Sequence, residues 1–190
     1  MRILFFITKS EQGGAQTHVA QLTRCFLAQG HEITVMSAPG GCLEEETTRQ
    51  GAQFYPNRSL RHTINPLRLW RAHREFLKAT REIQPDIVAC HSTIAGLIGR
   101  LSIRNRLPTV FTAHGWSFTQ GAPFFRRLLM PILEKWTALF CTVIICVSEN
   151  DKRLAITHRI APESKCLVIH NGVELTSPRE RTERNEKTCH

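Results

Sequence analysis

Short apolar runs alternate with amphipathic stretches along most of the chain. Several of the runs, including Ile3 to Ile7, are continuously apolar, which is typical of strands that are covered on both faces of a parallel sheet. The predicted strands span residues 2–7, 32–36, 52–55, 86–90, 109–112, 142–147 and 166–170. The predicted helices between them span residues 15–29, 66–83, 93–104, 124–140 and 149–158.

This alternation predicts an α/β fold with a doubly wound, mostly parallel, Rossmann-like sheet and right-handed crossovers. The chain has 190 residues, which suits one domain with one sizeable core. We place that domain at residues 1–175. Residues 176–190 are rich in Arg, Glu and Lys and have no apolar periodicity, so we expect a charged, disordered tail or linker there.

The composition narrows the choice of partner and compartment. Lys and Arg number 25 against 16 Asp and Glu, a formal net charge of +9, which favours an anionic partner such as nucleic acid, a membrane surface or a phosphorylated ligand. The apolar run at the amino terminus stops at Thr8, short of a signal peptide. The seven cysteines form no C-x-x-C pair, so neither a disulfide framework nor a zinc ribbon is indicated. We therefore expect a cytoplasmic location.

Polar residues and glycines follow most of the predicted strands. In doubly wound sheets the functional crevice lies beyond the carboxyl ends of the strands, so these residues should gather on one rim. They are Gly13, Gly14, His91, Ser92, His114, Gly115, Trp116, Ser148, Glu149, Asn171 and Gly172.

The glycine pair between the first strand and the first helix is a candidate anion site. Bare backbone at Gly13 and Gly14 allows a diphosphate or a sugar to approach the N–H groups at the positive end of the helix, although an ordinary turn uses the same residues. The dinucleotide fingerprint G-x-G-x-x-G is missing, and Ser37 stands where an acidic residue would hold a ribose. This argues against an NAD-dependent oxidoreductase, and no nucleic-acid-binding module is recognisable.

His114 follows the fifth predicted strand in "FTAHGWSF". There its imidazole could donate a hydrogen bond to a substrate hydroxyl or accept one; the alternative is a structural histidine. His91, His114 and His170 share the predicted rim and could form a metal site. Their spacing carries no ligand signature, so no metal is predicted.

Two basic amphipathic stretches are candidates for contact with an anionic membrane surface. "APFFRRLLMPILEKW" separates an apolar helical face from Arg126 and Arg127, and "NPLRLWRAHREFLKATR" combines Trp70 and Phe76 with basic residues. Such helices suit anionic lipid headgroups. A core-facing helix with a solvated basic face is the alternative for each.

Five motifs occur in register with the predicted strand ends: "GGAQTHVAQL", "HSTIAGLIGRLS", "FTAHGWSF", "VSENDKRLA" and "VIHNGVE". Together they resemble the amino-terminal half of the family 4 glycosyltransferases of GT-B fold, especially bacterial enzymes that build capsular or exopolysaccharide. The resemblance covers about residues 1–175.

The resemblance implies roles for individual residues. Gly13 and Gly14 would lie near the diphosphate and sugar of the donor, and His114 would contact the transferred sugar as the catalytic candidate. Gln16 and His18, which lie inside the first motif, would join the other rim residues in lining the cleft. The resemblance also implies a nucleotide-sugar donor used without a metal cofactor, and transfer with retention of anomeric configuration by front-side attack.

The sequence departs from the family pattern at two places. Thr93 and Ile94 stand where the family often has a lysine, so an acceptor contact is in doubt. The family's donor site lies in a second Rossmann-like domain that carries two glutamates with seven residues between them, and no two glutamates of this sequence have that separation. We therefore expect the acceptor-side half of a glycosyltransferase, truncated or split, with negligible turnover alone.

The alternative function is a non-catalytic, membrane-associated subunit that binds a glycan or lipid-linked acceptor and works with a separate donor-binding polypeptide. In either case we expect a cytoplasmic protein, located peripherally on the inner face of the cytoplasmic membrane.

Overall fold

The computed structural model describes residues 1–60, 65–119 and 121–172. Within this part of the chain the strands form one parallel sheet of order β3-β2-β1-β4-β5-β6-β7. The strands are β1 (Arg2–Ile7), β2 (Glu32–Ser37), β3 (Gln53–Pro56), β4 (Ile87–His91), β5 (Thr109–Ala113), β6 (Val143–Cys146) and β7 (Cys166–Val168). The doubly wound Rossmann-like fold is thereby confirmed. The predicted domain end at 175 and the tail 176–190 lie outside the described residues.

Six α-helices connect these strands in the described residues. They are α1 (Gly14–Ala28), α2 (Cys42–Arg49), α3 (Pro66–Ile83), α4 (Thr93–Ile103), α5 (Phe124–Ala138) and α6 (Glu149–Thr157). The sequence pattern does not reveal α2, because only Leu43 and Thr47 are buried in it, too few to produce an apolar stripe. β7 is shorter than predicted, since it ends at Val168 rather than at residue 170.

Successive residues of β1 face two different cores. Phe5 packs in the same cluster as Val19 of α1 and Leu43 of α2, whereas Phe6 packs with Phe76 of α3 and with residues of the helices that follow. This alternation follows from the two-residue period of a strand. It places α1 and α2 on one face of the sheet and α3 to α6 on the other.

The strand order reverses between β1 and β4. From β1 the chain proceeds through α1 to β2 on one side, and from β4 it proceeds through α4 to β5 on the other. The loops after β1 and β4 therefore diverge and open a crevice at the carboxyl ends of these strands, the usual ligand position in such sheets.

A buried ion pair fixes α5 against α4. Nη2 of Arg100 donates to Oε2 of Glu134 at 2.7 Å, and its Nε donates to the carbonyl of Gly96 at 2.8 Å. The guanidinium also lies 4.0 Å from the ring centroid of Phe111. Both charged side chains are almost completely buried, so they orient the Glu134 side of α5 inward.

Candidate functional site

Three imidazoles, which we call the His cluster (His18, His91 and His114), meet at the crevice. His91 ends β4, in register with Ile7 of β1 and Thr112 of β5, and His114 follows the last residue of β5. His18 comes from α1. Its ring centroid lies 5.2 Å from that of His114 and 5.8 Å from that of His91. The cluster thus connects the glycine end of α1 to the ends of two central strands.

The hydrogen bonding of His91 assigns the tautomers of two rings. Nδ1 of His91 lies 3.2 Å from Nε2 of His114, while Nε2 of His91 is buried and without a hydrogen-bond partner among the described residues. A buried N–H without an acceptor is especially costly, so the His91 proton belongs on Nδ1, which donates to Nε2 of His114. His114 then carries its own proton on Nδ1.

The environment of the cluster keeps all three rings neutral. Burial, followed by the charges of His114 and His18, holds the pKa of His91 well below its usual value. Burial and the neighbouring His18 lower the pKa of His114 to about 4, and burial lowers the pKa of His18. At neutral pH, His114 can therefore act as a hydrogen-bond donor, but it carries no positive charge.

The amino terminus of α1 is open to an anion. Neither a side-chain cap nor an acidic residue in the first turn satisfies its N–H groups, and Thr17 N makes the first helical bond, to the Gly13 carbonyl. Nε2 of Gln16 donates to the Lys9 carbonyl at 3.2 Å and secures the loop. A Cβ at Gly14 would meet no atom of the described residues within 4 Å. The fold itself therefore does not require glycine there, and the exposed N–H groups form a potential anion site.

Three of the predicted cleft residues have hydrogen-bond partners within the fold. The hydroxyl of Ser92 accepts from Thr8 N at 3.2 Å and lies 2.6 Å from Thr8 Oγ1, which ties β4 to β1. The hydroxyl of Ser148 accepts from Asp151 N and caps α6. Trp116 is only 4% exposed, and its Nε1 donates to the Asp151 carbonyl. These contacts occupy polar atoms of the three side chains, because a strand-end position does not fix the direction of a side chain, and their role in lining the cleft stays a prediction.

The remaining rim residues follow three different strands of the sheet. Gly115 is exposed beside His114, and Glu149 is exposed at the start of α6. Asn171 and Gly172 follow β7, the edge strand. That strand lies four strand spacings, or about 19 Å, from β1. His170 contacts a backbone carbonyl at the end of β6, not the cluster. The roles of these residues remain predictions.

The strand-end pattern and the family resemblance group the histidines differently. The strand-end pattern combines His91 and His114 with His170, whereas the structure combines them with His18, which the family resemblance places in the cleft. Strand-end reasoning counts only residues that follow strands, and His18 lies inside a helix. Its position four residues after Gly14, one helical turn into α1, is the signal that could have identified it.

Helix α5 exposes an apolar surface, which we call the α5 apolar face (Phe125, Leu128, Leu129, Ile132 and Trp136). These side chains are 50–62% exposed, and the buried side of the helix is formed by other residues, including Glu134. The core-facing alternative is therefore wrong for this helix. Arg127 and Lys135 are exposed on the same helix, and Arg126 is half-buried.

Helix α3 divides its two aromatic residues between opposite environments. Phe76 is completely buried in the core, whereas Trp70 is 54% exposed and has the guanidinium of Arg74 5.3 Å from its ring centroid. The core-facing interpretation thus holds for Phe76 and fails for Trp70. Among the described residues, neither α3 nor any other helix has the length and apolar character needed to span a bilayer.

Known proteins share both sequence and fold with this chain. The family model for Glycosyltransferase Family 4 matches residues 12–177. The O-antigen biosynthesis glycosyltransferase WbnH of Escherichia coli is 28% identical over 170 residues, which cover 89% of this chain and 48% of that protein. The UDP-Gal:alpha-D-GlcNAc-diphosphoundecaprenol alpha-1,3-galactosyltransferase of Escherichia coli is 33% identical over 104 residues, covering 52% of this chain and 26% of that protein.

A solved structure agrees with the fold. Anabaena HepE, in a crystal structure with UDP-glucose, superimposes with a TM-score of 0.70 at 15% identity, over 98% of this chain and 49% of that chain. At this identity the likeness concerns the fold. The chain spans about half the length, or less, of WbnH, the galactosyltransferase and HepE.

Proposed function

Because the chain belongs to glycosyltransferase family 4, we propose that it is the acceptor-side half of a retaining GT-B glycosyltransferase. The enzyme transfers a sugar from a nucleotide-sugar donor to a glycan or lipid-linked acceptor. The observation that carries this proposal is the open amino terminus of α1 next to the His cluster, at the point where the strand order reverses. The complex of HepE with UDP-glucose and the name of the diphosphoundecaprenol galactosyltransferase support the two substrate classes.

The amino terminus of α1 receives the diphosphate of the donor in this proposal. Negative charge grows on the diphosphate as the bond to the sugar breaks, and N–H groups aimed at that charge stabilise the transition state. Gly14 leaves room for the phosphate oxygens, since no atom in the described part of the chain occupies the space where a Cβ would lie.

His114 orients the transferred sugar through its Nδ1–H. Its Nε2 is occupied by His91, and the low pKa of about 4 keeps the ring neutral. His114 therefore has no free lone pair with which to act as a general base. The departing diphosphate is then the group that takes the proton of the acceptor, in a front-side mechanism with retention. No metal cofactor is part of this proposal.

The nucleotide binds a second domain outside these residues. This part of the proposal rests on the missing pair of glutamates with seven residues between them. We expect the purified chain to transfer a negligible amount of radiolabelled sugar from UDP- or GDP-sugars and to bind them weakly or not at all. Robust transfer by the chain alone would show that its own residues bind the donor.

Binding of inorganic pyrophosphate, detected by NMR of the backbone amides, tests the diphosphate site. Weak binding should shift the amide signals of residues 14–17. Gly14→Ala should weaken the binding about tenfold, because its methyl group occupies the approach to the N–H groups, with no decrease in Tm. Gly172→Ala is the matched control, since its Cβ also meets no atom of the described residues within 4 Å and it follows the edge strand β7. Equal binding by both variants, or shifts confined to α5, would contradict the site.

The α5 apolar face favours a second candidate function, a membrane-associated subunit that presents a lipid-linked acceptor to a separate donor-binding polypeptide. The exposed apolar side chains can enter the headgroup region of the inner leaflet of the cytoplasmic membrane, while Arg126, Arg127 and Lys135 attract anionic lipids. Trp70 of α3 is an additional candidate contact. This membrane association is also compatible with the first proposal.

Vesicle co-sedimentation tests the membrane contact. Vesicles that contain phosphatidylglycerol should bind the chain, and pure phosphatidylcholine should bind it much less. Leu128→Ser together with Leu129→Ser should abolish most of the binding, whereas Leu167→Ser, which changes an apolar side chain of similar exposure on β7, should not. Indifference to lipid charge, or equal binding by both variants, would indicate that α5 meets another partner.

A further inference from the structure

The His cluster has the composition and spacing of a metal-binding site. One imidazole nitrogen from each of His18, His91 and His114 can be chosen so that all three atoms lie within 4.8 Å of one another. Zinc binds histidine nitrogens at about 2.0–2.1 Å in tetrahedral geometry, which places two such nitrogens about 3.3 Å apart. Nδ1 of His91 and Nε2 of His114 lie 3.2 Å apart, close to that separation, so a small movement of the three rings would bring their nitrogens around one ion.

From this geometry we propose that His18, His91 and His114 bind a divalent transition-metal ion of the zinc class. Three protein ligands leave one tetrahedral position open, unlike the closed four-ligand set of a structural zinc site. His18 and His114 are only partly buried, so an ion can enter from the rim of the sheet. The ion is not a cofactor of sugar transfer in this proposal.

The neutral imidazole is the form of histidine that binds a metal ion.

The buried Nε2 atom of His91 limits the affinity of the site for a metal ion. Coordination through Nδ1 moves the His91 proton to Nε2, which has no hydrogen-bond partner in the described part of the chain. Metal-bound histidines normally donate this second N–H to a partner, and its loss typically weakens binding about 10- to 100-fold. We therefore expect micromolar rather than nanomolar affinity.

Occupancy would also disturb the arrangement that the proposed function requires. An ion at Nδ1 of His91 and Nε2 of His114 replaces the hydrogen bond that holds His114 in place. The complete enzyme should then be inhibited by micromolar Zn²⁺. This consequence rests on the proposed function, whereas the binding itself does not.

Titration of the purified chain with Co²⁺ tests the site without any sugar substrate. We expect one equivalent to bind with the intense visible absorption of tetrahedral cobalt. The experiment uses a Cys25→Ser background, because Cys25 is an exposed thiol. Competition by Zn²⁺ should remove the absorption.

His114→Asn and His18→Asn should each weaken Co²⁺ binding at least about tenfold, and circular dichroism should show that both variants are folded. His170→Asn is the matched control, since it removes an exposed histidine of the same rim, and its affinity should equal that of the parent chain. The weak absorption of octahedral cobalt, a thiolate-to-cobalt charge-transfer band, or equal affinity in all the variants would overturn the proposal. Since no sugar is present, these outcomes do not depend on the proposed glycosyltransferase activity.

Discussion

The protein should lose stability on mild acidification, and replacing His114 by asparagine should make that loss smaller. The pKa of His114 is about 4 in the folded protein and about 6.5 in an unfolded chain. Below about pH 6.5 the unfolded chain therefore binds a proton at this imidazole that the folded protein does not bind. The free energy of unfolding falls as the pH drops from about 6.5 towards about 4, and the full penalty is present below that range.

The size of this effect follows from the difference in pKa. Between about pH 7.5 and about pH 5 the linkage relation gives a loss of about 2 kcal/mol from His114 alone. The ring is partly accessible to solvent at the rim, so screening reduces the expected loss to about 1–2 kcal/mol. His18 and His91 act in the same direction, because their pKa values are also lowered.

Urea unfolding followed by far-UV circular dichroism, at about pH 7.5 and about pH 5, measures this loss. The decrease in unfolding free energy should be about 1–2 kcal/mol smaller in His114→Asn than in the parent chain. The comparison cancels the carboxylates that both proteins share. His170→Asn should behave like the parent chain. Equal decreases in the parent and in His114→Asn would refute the argument that burial keeps this imidazole neutral.

Two further predictions concern the packing that supports the site, and both are measured by urea unfolding. Gly99→Ala would place a methyl group 2.5 Å from Sγ of the buried Cys90 and should destabilise the fold by about 1–2 kcal/mol; Gly14→Ala, whose methyl group meets nothing, should not, and equal stabilities would contradict this. Arg100→Met leaves the Glu134 carboxylate buried without its cation and should cost about 3–5 kcal/mol. Adding Glu134→Leu should restore most of that loss, and additive losses would show that the pair is not coupled.

The pattern of apolar residues predicts most of the fold. Helices such as α1 and α3 are visible in the sequence because the packing of one face against a sheet imposes a 3.6-residue period. Helix α2 is not visible, because it buries only Leu43 and Thr47. The pattern in α5 is recognisable, but whether its apolar face meets the core or solvent depends on the buried pair Arg100–Glu134, whose members are 34 residues apart in the chain.

The candidate site is predictable in its position but not in its contacts. Parallel strands bring all their carboxyl ends to one edge, so Gly13, His91 and His114 can be assigned to it from sequence alone. The order of the strands cannot be predicted in this way, and it places β7, the strand that precedes Asn171, four positions from β1. The direction of each side chain cannot be predicted from the sequence either, and in the structure the Trp116 side chain points into the core.

Local periodicity and the residues that follow each strand established the fold class, the edge where a ligand is expected and the family resemblance, because these depend on neighbours in the chain. The meeting of His18, His91 and His114 depends on how α1 lies across the ends of β4 and β5. Their neutral state depends in turn on the burial that this packing creates. Such properties arise between segments distant in sequence, so only the tertiary structure could reveal them.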